Sequence, residues 1–162
     1  MSFYDDVIKL DPRFNLSTRC SDMMMLEPVT RAAVAGIIAD VQSQFGITMM
    51  VFETFRSQAR QQLLFAQKAT QLQKVGVHGF GLAADLVKVI NGEPSWKGDF
   101  TFLAGLAKAH GLISGVDWGQ PEVKHSFIDS DHVQRCAVAD QNKLFAGTFY
   151  PDDSYDPYAT TA

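Results

Sequence analysis

The sequence predicts an α+β domain, and three observations carry that prediction. The 162 residues are 46% apolar and 20% charged, which is enough material for one core. Helical periods and short apolar runs both occur along the chain. They do not alternate as strand–helix–strand units, so a parallel doubly wound sheet is not indicated. We expect one domain over residues 1–148, followed by a short tail over 149–162.

Residues 3–9 suit a short helix. Pro28 opens the first long helix, because proline is tolerated in a first helical turn. Val34, Ile37, Ile38, Val41 and Phe45 recur at three and four and make one apolar face, and Gly46 is placed to end it. Residues 47–52 form a short apolar run bounded by Gly46 and Glu53 and read as a buried strand. Residues 53–56 turn out of it. Ser57 is a good N-cap for a helix over 58–71, with Ala59, Leu63, Ala66 and Ala69 facing the core. The loop Gly76-Val77-His78-Gly79-Phe80-Gly81 then runs into a strand over 85–90. Residues 91–94 make a turn. Asp99 caps a helix over 100–110, with Phe100, Leu103 and Ala107 on one side and Gly111 after it. Short strands are expected over 112–116 and 132–136, and a last helix over 137–145. Residues 150–162 are rich in Pro, Asp and Tyr without an apolar period, and read as a loose tail.

Composition excludes several functions. A net charge of −4 and a pI near 5.4 leave no basic face for nucleic acid. The apolar stretches are too short for an integral membrane segment, and residues 1–10 lack the apolar core of a secretory signal. The expectation is a protein made in the cytoplasm, or one leaving it by a route this chain does not encode. Cys20 and Cys136 form no CxxC pair. Two reduced, buried thiols are expected, with a disulfide joining the two ends of the domain as the alternative.

Chemistry concentrates around His78 and Asp85. An imidazole and a carboxylate are a partial shell for a divalent cation, zinc above all. His132, like Asp85, follows a loop and opens a strand, so two adjacent strands would set them side by side. A His/Asp/His shell leaves a fourth position for water, as catalytic zinc sites do. Asp129, three residues before His132, is placed to take a proton from that water and return it to a leaving amine. Arg56, at the end of a strand, could hold a substrate carboxylate or an oxyanion. His110 lies in the last turn of a helix and needs no function beyond the helix dipole. His125 reads as a solvated loop residue, and Trp96 and Lys97 as rim.

His78-x-x-Gly81-x-Ala83-x-Asp85 followed by Asp129-x-x-His132 resembles the zinc D-Ala-D-Ala carboxypeptidase and L-alanyl-D-glutamate endopeptidase family, which includes phage endolysins and D,D-dipeptidases. Glu53-Thr54-Phe55-Arg56-Ser57 with Gln61 resembles its arginine segment. Asp117-Trp118-Gly119 with Phe127 and Asp129 resembles the end of its phage endolysin branch. The resemblance spans residues 17–134. It implies a small α+β fold shared with the Hedgehog signalling domain, a short antiparallel sheet flanked by helices. It implies Zn2+ on His78, Asp85 and His132, with Asp129 as general base and Arg56 as the substrate or transition-state contact. It further implies cleavage of peptidoglycan stem peptides, at the L-alanyl–D-glutamate bond or as a D-Ala-D-Ala carboxypeptidase. Gly76 stands where the family often has serine, and Asp131 where endolysins commonly have proline. A monomer is expected, acting at the periplasmic wall and dependent on a holin or another export route to reach it. A reading from a different class is a zinc-stabilised wall-binding module without turnover.

Overall fold

Among the described residues, five short strands form an antiparallel sheet, and two helices pack on one of its faces. The computed structural model describes residues 2–68, 76–115 and 131–159. Asp129, Asp117, Trp118, Gly119, His125 and Phe127 lie outside those residues.

Helix α1 spans Pro28–Phe45. The Glu27 side chain accepts from the backbone N–H of Val29 and Thr30, filling the role that a cap must fill at a helix start. Gly46 takes φ +66° after its last turn. Val34, Ile37 and Val41 are buried as the periodicity predicts, whereas Phe45 stays half exposed at the helix end. Strand β1 covers Met49–Glu53, two residues later than expected at its start and one at its finish. Helix α2, Gln58–Ala66, is capped by Ser57, whose Oγ accepts from Arg60 N–H at 3.0 Å.

The core face predicted for α2 is not observed. Leu63 and Phe65 are exposed, Ala66 is exposed, and the buried residue is Gln61. The helix turns Gln61 inward instead, where its Oε1 meets the Arg56 guanidinium at 3.4 Å.

Strand β2, Ala83–Ile90, is central; β3, Glu93–Ser95, pairs with its second half. Helix α3, Phe102–Ala109, buries Leu103, Leu106 and Ala107. Strands β4, Ile113–Ser114, and β5, His132–Gln134, complete the order β1-β2-β5-β4. Ala84, Leu86 and Val133 face α1 and α3 in the main core. Alternation along a strand therefore sends Asp85 and His132 to the opposite face. Helix α4, Gln141–Phe145, is shorter than the predicted 137–145, because a 3₁₀ turn occupies Val138–Asp140.

The C-terminal stretch, expected to be loose, packs back onto the domain through residue 159. Its anchors are hydroxyls rather than an apolar face. Tyr150 donates to Phe80 O at 2.7 Å, Tyr155 to Asp140 Oδ2 at 2.8 Å and Tyr158 to Leu112 O at 2.8 Å. Arg135, 2% exposed, pairs with Glu27 at 3.0 Å and donates to the carbonyls of Asp152 and Tyr155. Cys20 and Cys136 are both free and buried, and burial pushes the Cys136 thiol up to about 12. Among the described residues, no helix is long and apolar enough to cross a membrane.

Gly81 is where the loop and the fold meet. It has φ +73°, and a Cβ there would lie 2.6 Å from Ile8 Cδ1 and 2.8 Å from the Met25 carbonyl oxygen. Gly81→Ala is expected to destabilise the protein by about 1–3 kcal/mol, read as a lower urea midpoint with an unchanged slope.

Candidate metal centre

Three side chains from two strands and a loop converge on the face of the sheet opposite α1 and α3. β2 and β5 pair with Asp85 opposite His132, so the side-by-side arrangement sought from the sequence is met by the strand register. On the other edge of β2, Asp85 stands opposite Glu53 of β1. His78 arrives from the 3₁₀ turn Val77–Phe80, which ends at the left-handed Gly81. The Arg56 N–H donates to the His78 carbonyl at 3.2 Å and ties that turn to the end of β1.

His78, Asp85 and His132 are 4%, 7% and 4% exposed. His78 Nε2 lies 3.3 Å and His132 Nδ1 lies 3.5 Å from the same oxygen, Asp85 Oδ1. One donor atom from each of the three residues falls within 4.8 Å of the others. Donors held about 2.0–2.1 Å from a tetrahedral zinc lie about 3.4 Å apart, which is the spacing of the two shorter pairs.

Protonation supports the same reading. His78 Nδ1 is 2.7 Å from the Thr54 carbonyl oxygen. A carbonyl only accepts, so Nδ1 carries the proton and a neutral ring keeps its lone pair on Nε2. Nε2 and Asp85 Oδ1 are buried and have no hydrogen-bond partner. Orphaned buried polar atoms are costly, and here they point at one another. A divalent cation resolves that arrangement, so the residues fit a metal. Burial alone would raise the Asp85 carboxyl. Protonated His78 and His132 rings beside it outweigh that and hold it well below the usual carboxylate range; with neutral rings, a bound cation would supply that positive charge instead.

Arg56 is not aimed outward. Its guanidinium donates to Asp85 Oδ2 at 3.1 Å and Glu53 Oε1 at 2.9 Å. The second oxygen of Asp85 is thereby held, and Oδ1 is left facing the histidines. Glu53, 1% exposed, also accepts from Arg60 Nε at 3.0 Å. Sequence reasoning placed Glu53 in a turn and gave it no role. The available signal was its spacing: a carboxylate closing an apolar strand, with arginines three and seven residues later.

No family model matches the chain, and no curated protein does. Among solved structures the fold is similar to that of L-Ala D-Glu endopeptidase ChiX from Serratia marcescens. That match has 22% identity and a TM-score of 0.50, over 74% of this chain and 90% of the other. It is also similar to L,D-carboxypeptidase DacB from Streptococcus pneumoniae, with 18% identity and a TM-score of 0.50 over 82% and 80%. At these identities the likeness is one of fold. Helices on a small antiparallel sheet are the α+β class that the sequence predicts.

Proposed function

We propose that the protein is a metal-dependent peptidase that cuts peptidoglycan stem peptides, at the L-alanyl–D-glutamate bond. The observation that carries this is the convergence of His78 Nε2, His132 Nδ1 and Asp85 Oδ1 in a buried centre. The fold shared with an L-Ala D-Glu endopeptidase supports the bond, and the His/Asp/His donor set supports zinc.

His78, Asp85 and His132 would hold the cation. When bound, such an ion polarises a carbonyl and lowers the pKa of a water molecule. The chain's own residues do the rest. Arg56 keeps the Asp85 carboxylate turned so that a single oxygen faces the histidines. A substrate carboxylate or a developing oxyanion is the second contact we propose for the same guanidinium. Asp129, three residues from His132, takes the proton of the attacking water and delivers it to the departing amide nitrogen. The enzyme is made in the cytoplasm and acts on the periplasmic wall as a monomer.

The L,D-carboxypeptidase fold match keeps trimming of the stem's end as the competing activity. Mass spectrometry of muropeptides digested with zinc-loaded protein separates the two. We expect products cut between L-alanine and D-glutamate, absent with a chelator. Loss of a single terminal D-amino acid would instead assign a carboxypeptidase. Intact muropeptides together with stoichiometric wall binding would assign a binding module.

A further inference from the structure

Outside the three donor residues, a buried amide touches the centre at one end and is anchored away from it at the other. Gln134 is 1% exposed and lies two residues past His132 on β5. Its Nε2 donates to the Cys136 carbonyl at 2.6 Å and to Gln141 Oε1 at 2.8 Å. A backbone carbonyl cannot donate, so this end of the side chain must be the NH2 group. That fixes the other end: Gln134 Oε1, an acceptor only, lies 2.8 Å from His132 Nε2. His132 therefore carries its proton on Nε2, and the lone pair of its neutral ring is on Nδ1, the nitrogen 3.5 Å from Asp85 Oδ1.

We propose that Gln134 is a positioning residue which selects the His132 tautomer and ring orientation, and so makes Nδ1 the donor presented to the centre. Gln141, at the start of α4, holds the amide in place from outside the sheet. The inference rests on the reading of the centre as a metal site, and goes beyond it in assigning a selector to one donor. A glutamate at position 134 would not do the same work. It would accept at both ends and repel the Cys136 carbonyl. The side chain must accept toward the histidine and donate away from it, and an amide does both.

The test uses the full chain with imidazole nitrogens labelled. Two-bond 1H–15N spectra of the zinc-free protein, taken above the ordinary imidazole titration range, report which ring nitrogen is protonated. The wild type is expected to show His132 as the pure Nε2–H form. Gln134→Met should give a mixture and weaken zinc binding about 10–100-fold by titration calorimetry. Because burying methionine there strips donors from two acceptors and could unfold the strand, Gln141→Met serves as the second variant. It leaves Gln134 in place and should broaden the His132 signals with a smaller loss of affinity. An Nδ1–H form in the wild type overturns the proposal, as does wild-type zinc affinity in a folded Gln134→Met. A wild type that shows the Nε2–H form yet takes up no zinc upholds the tautomer assignment and removes the metal reading.

Discussion

Alanine in place of His78 or His132 is expected to abolish the stabilisation that zinc confers on the wild type and to bring muropeptide cleavage below detection. Each histidine would supply one of the three donors found among the described residues, and the other two would not hold the ion in the same geometry. The loss should exceed the roughly 10–100-fold typical of an outer partner. In the wild type, zinc at about 100 times its dissociation constant should add about 2.7 kcal/mol. For a domain of this size that corresponds to roughly 5–10 °C in Tm. The variants start lower even without zinc. His78→Ala strips the donor from the Thr54 carbonyl, and His132→Ala strips it from Gln134 Oε1. Leaving a buried acceptor unsatisfied costs about 1–3 kcal/mol. The diagnostic quantity is therefore the shift on adding zinc, measured for each variant against its own metal-free form. A zinc shift of wild-type size in either variant would take that histidine out of the centre.

Glu53→Ala is expected to be the most destabilising single change at the rim, at about 3–5 kcal/mol. The wild-type carboxylate is 2% exposed and is shared by two guanidiniums that are each 14% exposed. Without it, Arg56 keeps Asp85 as a partner, but Arg60 loses its buried acceptor. Thermal denaturation should fall on the order of 10 °C. The double variant Glu53→Ala, Arg60→Ala should cost less than the single one, because it removes the stranded charge along with its partner. Additive losses would mean that the two arginines do not depend on Glu53 for their burial. The zinc affinity of Glu53→Ala should also drop about 10-fold, since Arg56 then orients Asp85 without its second anchor.

These two predictions differ in how visible their residues are in the sequence. The convergence of His78, Asp85 and His132 was legible because loop and strand chemistry places them: small residues around Asp85, glycines around His78, and a strand beginning at His132. The long helix was legible because its apolar period is strong and both ends are marked. Glu53 and Gln134 were not, because each partner lies across a turn or within the same strand. A polar residue in a short strand looks the same whether it meets water or a buried imidazole. Helix α2 misled for the opposite reason. Its leucines and alanines offer an apolar side, but the helix sits beside the arginine cluster and buries Gln61 instead. The C-terminal stretch has no period to read, because tyrosine hydroxyls, backbone carbonyls and buried prolines hold it. Asp129 lies outside the described residues, and its part in the mechanism stands as a proposal.

One guanidinium has a bearing on how the molecule comes into being. Arg135 lies immediately after the strand that carries His132, and its partners are Glu27, 108 positions earlier, and two carbonyls about twenty positions later. Synthesis proceeds from the N-terminus. A ribosome-bound fragment lacking the Asp152 and Tyr155 carbonyls therefore holds a buried cation only half matched. The setting of β5 is complete only once residues 152–155 have emerged, so the candidate metal centre matures after all three of its clustered side chains have already been made.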